Sequence, residues 1–476
     1  MPITTRLIIL FEQWADEKLI TISQLPPSGS YRTYFRITGK TQSVLGAVNC
    51  DIKENRAFIE YSRFFRKKGL PVPEVYAVDE SLKCYLLEDL GNTTLFDRLS
   101  ILRTGSELPS QIVDFYHSVL PQLIRFQIEG RSLDFLAAYP RAKFDKQSMM
   151  WDLHYFKYYF LKLAQIPFDE QLLEDDFNRF TDFLLETDTD YFLYRDFQSR
   201  NIMVVDGKPA FIDYQGGRKG ALQYDIASLL FDAKADLPNE IREELFNAYI
   251  SELKKHIAVD ESKFKEYYYG YVLIRIMQAM GAYGFRGFYE KKTHFLKSIP
   301  FALQNLRFVL NNASLPVELP ALKGVLTAVI NSGKLIQIAS EPELCVTITS
   351  FSYKRGIPVD YSGHGGGFVF DCRSLPNPGK YAEYKTKTGK DAEVIAFLEK
   401  EQEVKSFLTN VFAIVEQSVN KYIKRSFKHL MVSFGCTGGQ HRSVYSAEQL
   451  AAHLSKKFPV QIKLNHVELE MAENTK

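Results

Sequence analysis

Apolar residues follow several rhythms along this chain, and each predicts a different element. From Met1 to Lys18 the run Leu7-Ile8-Ile9-Leu10 meets Glu12, Asp16 and Glu17 at once, which predicts an amphipathic helix and not a signal peptide. After a turn at Leu25 to Ser30, Tyr31 to Ile37 alternates like a strand, and Ser43 to Val48 is the next one. Asn55 to Lys68 places Phe58, Ile59, Phe64 and Phe65 at helical spacing, and Gly69-Leu70-Pro71-Val72-Pro73 stops that helix. Cys84 to Leu87 is an apolar strand that ends in Glu88, Asp89, Leu90 and Gly91. Thr93 to about Thr187 is helical and aromatic, with Trp151, Tyr155, Phe156, Tyr158, Tyr159 and Phe160 expected to be mostly core.

Past residue 343 the rhythm changes. The order becomes strand (Leu344 to Thr349), glycine-rich loop, strand (Phe368 to Arg373), long helices from about Asp391, strand (Leu430 to Phe434), helix, strand (Val460 to Val467). That alternation predicts an α/β layer whose site lies on loops at strand C-termini.

The chemistry concentrates where the helical pattern breaks, at Tyr194-Arg195-Asp196-Phe197-Gln198-Ser199-Arg200-Asn201, followed by Phe211-Ile212-Asp213-Tyr214-Gln215. Ile202 to Val205, Asp206-Gly207 and Ala210 to Ile212 read as strand, tight turn, strand, which brings the amide and the second acid together. Phosphoryl transfer asks for a carboxylate to orient the attacking hydroxyl and for oxygen ligands to the Mg²⁺ that neutralises nucleotide phosphates. Asp196 suits the first task; Asn201 and Asp213 suit the second. Asp225 is expected either to cap the helix that follows or to brace this loop.

In such a kinase the first strand pair carries the phosphate loop, and the strand ending at Glu88, Asp89 and Leu90 is the hinge whose backbone meets adenine. The lysine expected in the second strand is missing from Val44-Leu45-Gly46-Ala47-Val48, and of Lys53, Arg32 and Arg36 the reading favours Arg32 as the replacement cation. Arg275, Tyr283, Arg286 and Tyr289 are unranked contacts to a sugar or phosphate.

Composition narrows the setting. The 476 residues suffice for two or three domains, and 46% hydrophobic with 24% charged residues is ordinary for a folded chain. Five scattered cysteines without a Cys-x-x-Cys pair argue against a disulfide framework or zinc ribbon and for a reducing cytoplasm. No run is apolar enough to span a bilayer. From Glu343 onward 18 Lys and Arg face 14 Asp and Glu, a surplus that permits an anionic partner.

The motifs Tyr31 to Arg36, Leu87-Glu88-Asp89-Leu90-Gly91, Tyr194-Arg195-Asp196 through Asn201, Ile212-Asp213-Tyr214-Gln215 and Tyr224-Asp225-Ile226-Ala227-Ser228-Leu229-Leu230 resemble the aminoglycoside phosphotransferase family, more narrowly its anomeric amino-sugar kinase branch. The resemblance implies an α+β protein-kinase-like domain over residues 1–335, with an N-lobe to about 90 and a helical C-lobe beyond. It also implies ATP and Mg²⁺ as cofactors and the anomeric hydroxyl of an N-acetylated amino sugar, in cell-wall recycling, as acceptor. The family usually has histidine where Tyr194 stands, a residue that props the loop.

In the last third, Gly435-Cys436-Thr437-Gly438-Gly439-Gln440-His441-Arg442-Ser443 joins an apolar strand to a helical pattern, a setting in which backbone amides face an anion and Arg442 forks onto it. Asp371-Cys372-Arg373 offers a second arginine that either joins that site or pairs with Asp371, beside the loop Ser362 to Gly367. Cys436, five residues and Arg442 also fit a cysteine-phosphatase signature. These stretches, with Lys354 to Pro358, Phe370 to Pro378 and Thr388 to Asp391, resemble the C-terminal domain of the RNase adaptor RapZ over residues 344–470. That implies a separate α/β domain at 344–476 with a phosphosugar pocket around Arg373, Gly438, Gly439, His441 and Arg442, and RNA as a further partner. The rival whole-chain readings are a nucleotide-binding pseudokinase joined to an RNA adaptor, and a kinase joined to a cysteine phosphatase.

Overall fold

The structure is a computed structural model that describes residues 3–26, 32–103, 108–340, 344–360, 366–425 and 427–474. Two compact units divide the chain, Met1–Ala339 and Ser340–Lys476.

The first unit opens with helix α1 (Ile3–Ala15) and a five-stranded antiparallel sheet of order β1-β2-β3-β5-β4, made of β1 (Thr21–Gln24), β2 (Thr33–Thr38), β3 (Ser43–Val48), β4 (Val75–Val78) and β5 (Cys84–Glu88). Helix α2 (Ile52–Lys67) follows β3, capped by Asp51, whose side chain accepts from Lys53 and Glu54 N–H. β5 is apolar from Cys84 to Leu87 because both of its faces are covered there. Cys84 and Leu86 join Leu7 and Phe11 of α1 in one cluster, while Tyr85 and Leu87 join Phe58 and Phe65 of α2 in the main core, the two-residue alternation of a pleated strand. Gly46 of β3 is required by this packing: a Cβ there would lie 3.0 Å from Leu7 and 2.8 Å from Ile37. Sequence pattern alone assigned no strand to β1 or β4.

Helices build the rest of this unit, among them Ser110–Glu129, Glu170–Leu184, Leu222–Leu230 and Glu261–Tyr283. They surround a two-stranded sheet of β6 (Tyr191–Leu193) with β9 (Arg218–Gly220) and the hairpin β7 (Ile202–Val205) and β8 (Lys208–Phe211). Asp206 and Gly207, both at positive φ (49° and 77°), make the tight turn that the sequence predicts. The aromatic segment needs correction. Phe156 and Phe160 are fully buried, but Trp151 and Tyr158 are 45% and 43% exposed and Tyr155 and Tyr159 half-buried, so most of that stripe is not core. The chain there passes from helix Lys146–Tyr155 into a wider π turn, Phe156–Leu161, which resets the face each ring presents.

The second unit is a parallel four-stranded sheet of order β11-β12-β10-β13, from β10 (Cys345–Ser352), β11 (Gly367–Asp371), β12 (His429–Cys436) and β13 (Gln461–His466). Val346, Ile348, Leu430, Val432 and Phe434 pack with Val394, Val411, Val415 and Leu450 of its helices. The alternation of strand and helix along this stretch is the α/β layer expected. Ser362 to Gly365 of the glycine-rich loop, and Tyr31 at the head of the first motif, lie outside the described residues. Among the described residues no helix is long and apolar enough to cross a membrane.

Candidate active site

β6 hands the chain to Tyr194 and Arg195, whose N–H groups donate to the two oxygens of Asp225 at 2.7 and 3.0 Å. Asp225 is fully buried in the first turn of Leu222–Leu230, where Ala221 holds the N-cap position, so of cap and brace it takes the brace. Burial pushes its carboxyl up to about 7 against the pull of those two donors.

Arg195 adopts φ 85°, a conformation that costs a non-glycine residue of order 1–3 kcal/mol and persists only where its surroundings hold it. Asp152 holds it, accepting from both guanidinium ends at 2.8 and 2.6 Å, and the Tyr224 hydroxyl takes a further bond at 2.8 Å. Tyr194 is buried and donates its hydroxyl to the Ile212 carbonyl at 2.6 Å. That bond ties the loop before Asp196 to the residue before Asp213.

Between these anchors stand the three predicted groups. Asn201 Nδ2 donates to the Asp196 carbonyl at 2.8 Å and to Asp213 Oδ2 at 3.2 Å, while its own carbonyl accepts from Ile212 N–H at 3.1 Å. With the amide nitrogen committed, Asn201 Oδ1 accepts no hydrogen bond from the described residues. Asp196 has a side chain 41% exposed, with Arg275 Nη2 3.7 Å from its Oδ1. Asp213, at φ 72°, has its carboxyl pushed up by burial first and by the nearby Asp196 second.

Three groups that the motifs did not rank complete this side. Gln215 Nε2 donates to Asp213 Oδ1 at 2.8 Å and to Glu54 Oε1 at 3.2 Å, and Glu54 of α2 also accepts from Arg32 at 3.0 Å and Asn49 at 2.9 Å. The buried Gln215 Oε1 has no hydrogen-bond partner among the described residues. Arg32 precedes β2 and stands two positions before Tyr34, which faces Ala47 of β3, so pleat alternation puts Arg32 and Tyr34 on one side of the strand. The two other cations considered are occupied elsewhere: Arg36 forks onto Asp89 at 2.5 and 2.9 Å, and Lys53 lies 5.8 Å over the Tyr139 ring. At the hinge, Glu88 Oε2 accepts from Glu74 N–H at 3.2 Å, and the Leu90 backbone N–H and C=O bond to no described residue.

Beside Asp196 lies a narrow cleft with about 20 Å³ of free space, lined by Gln198, Ser228, Asp232, Arg275, Tyr283 and Asn305 among others. Arg275 and Tyr283 are thereby separated from Arg286 and Tyr289, which lie outside its lining. Among the described residues no three His, Cys, Asp or Glu side chains group as a metal cage. The oxygen pair of Asn201 and Asp213 fits instead a hard cation that keeps waters and phosphate oxygens as its other ligands.

In the second unit the ends of β11 and β12 meet in register, Asp371 opposite Gly435. Arg373 pairs with Asp371 through Nε at 3.0 Å and Nη2 at 2.7 Å and lies 4.1 Å over the Tyr353 ring, so the pairing alternative holds for it. Arg442 does not present a free fork: it is buried, and its Nη1 donates to the Arg373 and Leu375 carbonyls at 2.8 and 3.0 Å. His441 Nε2 lies 2.8 Å from the Tyr384 carbonyl. Gly439 sits at φ 64° and gives its N–H to Cys436 Sγ at 3.2 Å, while a Cβ at Gly438 would meet nothing within 4 Å.

A sheet-and-helix lobe joined through a hinge to a helical lobe, with an acid, an amide and a second acid set by one hairpin, defines the first unit as a protein-kinase-like phosphotransferase fold. Residues 21–261, just over half the chain, match the phosphotransferase enzyme family, APH, and the chain belongs to that family. Residues 344–470 match the RapZ C-terminal domain. A nucleotide-binding protein of Fervidobacterium nodosum is 40% identical over 131 residues, covering 27% of this chain and 45% of that protein. The chain spans between 39% and 52% of the length of such curated relatives. Among solved structures, choline kinase from Cryptosporidium parvum Iowa II aligns with a TM-score of 0.46 and 12% identity, covering 68% of this chain and 99% of that one. An amicoumacin kinase in complex with AMP-PNP, Ca²⁺ and Ami aligns with a TM-score of 0.45 and 12% identity over 68% of this chain and 100% of that one.

Proposed function

We propose that the first unit transfers the γ-phosphoryl group of ATP, with Mg²⁺, to a sugar hydroxyl, the anomeric hydroxyl of an N-acetylated amino sugar. The observation that carries this reading is Asn201, whose nitrogen is held by the Asp196 carbonyl and Asp213 while its side-chain oxygen accepts no hydrogen bond from the described residues. Asn201 and Asp213 would hold the metal, which when bound supplies the charge that neutralises the nucleotide phosphates. Asp196 accepts the hydrogen bond of the attacking hydroxyl and orients it in line. Arg32, steadied by Glu54, anchors phosphate in place of the absent lysine, and the hinge after Glu88, whose own N–H is held by the Glu74 carbonyl at 2.9 Å, offers the Leu90 backbone groups to adenine. Asp196→Asn then abolishes transfer while nucleotide binding survives; equal turnover by variant and wild type across amino sugars refutes the assignment.

For the second unit the reading is a phosphosugar pocket that senses product or substrate, at the open backbone of Gly438, next to the closely packed Gly439, where helix Arg442–Lys457 begins. His441 and Arg442 shape its wall through the carbonyls they hold, and Arg373 reaches an anion by exchanging its bond to Asp371. The cysteine-phosphatase reading is disfavoured because Cys436 is only 3% exposed. Titration calorimetry of the full chain with glucosamine 6-phosphate tests the pocket: neither heat of binding nor an effect on kinase rate removes it.

A further inference from the structure

Away from the phosphoryl-transfer residues, helices Asn239–Leu253, Glu261–Tyr283 and Ile299–Asn312 border a cavity of about 280 Å³, close to the ~300 Å³ at which small-ligand pockets begin. Arg242, Phe246, Tyr268, Tyr269 and Phe308 line it together with Phe231. Arg242 is only 7% exposed, yet among the described residues no carboxylate lies within 4.0 Å of it. Its Nη2 donates to Asn305 Oδ1 at 2.7 Å, its Nη1 reaches Asn239 Oδ1 at 3.4 Å, and its buried Nε has no partner. A guanidinium carries five N–H donors, so most of this one's capacity is unspent. The Phe231 ring, 4.5 Å from the guanidinium carbon, and the more distant Asp236 are what support the charge, while burial pushes the arginine's pKa down.

Tyr268, 3% exposed, is a second buried group of this kind, because its hydroxyl bonds to no described residue. Buried polar groups ordinarily find partners within the fold. An unneutralised guanidinium and an unused hydroxyl on one cavity wall are the donors that an oxyanion requires. Phe246, Tyr269 and Phe308 supply aromatic area for the body of such a molecule. Glu240 and Glu243 stand exposed at the mouth against the single Lys265, an acidic surplus that opposes a dianion and favours a carboxylate.

The cavity also communicates with the catalytic side. Asn305, whose oxygen Arg242 holds, donates from Nδ2 to the Phe231 carbonyl at 3.2 Å, and both residues line the narrow cleft beside Asp196. A carboxylate that draws Arg242 toward itself loosens that wall. We infer that this cavity is an effector site for a small organic carboxylate with an aromatic or apolar body, held by Arg242 and the Tyr268 hydroxyl and felt at Asp196 through Asn305. The effect on turnover rests on the kinase reading; the binding does not.

Calorimetric titration of the full chain with benzoate, phenyl phosphate, benzamide and benzylamine tests the site, since the four share one ring. Benzoate is expected to bind at least ~10-fold tighter than benzamide, the worth of one bond to a charged group, and tighter than phenyl phosphate or benzylamine. Arg242→Met erases that preference. Tyr268→Phe weakens benzoate by ~5-fold and leaves the melting point of the unliganded protein unchanged, because the hydroxyl it removes makes no bond there. Equal affinity for benzoate and benzamide, undiminished benzoate binding by both variants, or no binding of benzoate at millimolar concentration overturns the site. Phenyl phosphate bound more tightly than benzoate overturns the choice of a carboxylate. With ATP, Mg²⁺ and an amino sugar that is turned over, saturating benzoate shifts the acceptor KM by at least ~5-fold. An unchanged KM overturns the coupling, and benzoate bound by a protein that turns over no acceptor supports the site while counting against the kinase reading.

Discussion

Glu54 is the hub that joins Arg32 to Gln215 and, through it, to Asp213, and Glu54→Gln isolates what it does. The carboxylate accepts from Arg32, Gln215 and Asn49 at 3.0, 3.2 and 2.9 Å. Arg32 has a side chain only 2% exposed, whereas that of Glu54 is 29% exposed. Removing the negative partner of a buried arginine costs about 3–5 kcal/mol, and partial exposure of Glu54 places the expectation at the low end, about 3 kcal/mol. With an unfolding entropy of about 2 cal/mol/K per residue, a unit of this size loses about 4 °C in Tm.

The double variant Arg32→Met with Glu54→Gln separates structure from function. Removing both members of a buried pair is often close to neutral, so stability recovers by at least about 2 kcal/mol over the single variant. Nucleotide affinity, read by titration with a fluorescent ATP analogue, does not recover. Calorimetric melting and that titration decide the matter. A Glu54→Gln melting point within 1 °C of wild type, or a double variant as unstable as the two singles summed, refutes the reasoning.

Four further outcomes follow from the packing of this unit. Asp225→Asn leaves one of the Tyr194 and Arg195 N–H groups without a good acceptor, a loss of about 1–3 kcal/mol with a fall in kcat, checked by melting and kinetics. The folded-state pKa of Asp225 is raised to about 7 from 3.8, so its contribution is fully present below 3.8 and is lost as pH rises through about 7; denaturant unfolding should find wild type gaining stability from pH 8 to pH 5 relative to Asp225→Asn. Tyr194→Phe deletes the 2.6 Å bond to Ile212 and costs about 1 kcal/mol in the same unfolding assay. Gly217→Ala would set a Cβ 2.3 Å from Phe192 Cζ and 2.9 Å from the Tyr214 carbonyl, and overpacking of that kind costs about 1–3 kcal/mol, visible as a lower melting point.

What the sequence discloses of this molecule depends on how local the physics is. The hairpin at Asp206-Gly207, the stop after α2 and the strand-helix order past residue 343 each rest on neighbours within a few positions, and the structure contains them. Glu54 reads as an ordinary first-turn acid beside the Asp51 cap; only the fold brings it to Gln215, 161 positions away. Asp152 is likewise 43 positions from the arginine it holds, inside a stretch whose aromatic residues dominate the pattern. Tyr158 misleads because it lies in a π turn that rotates the helix face, and no periodicity of 3.6 anticipates it. Arg442 sits at a helix start that invites an anion, yet the loop after β11 needs its guanidinium for two carbonyls, a demand that appears only once the parallel strands are side by side.

Phosphorus NMR of product formation is the most direct measure of whether Asp196, Asn201 and Asp213 act together on a nucleotide. Wild-type protein with ATP, Mg²⁺ and an amino-sugar panel should convert ATP to ADP with a new sugar-phosphate resonance coupled to the anomeric proton, while Asp196→Asn binds ATP and yields none. Product formed equally by the variant, or by neither protein on any acceptor, would contradict the account.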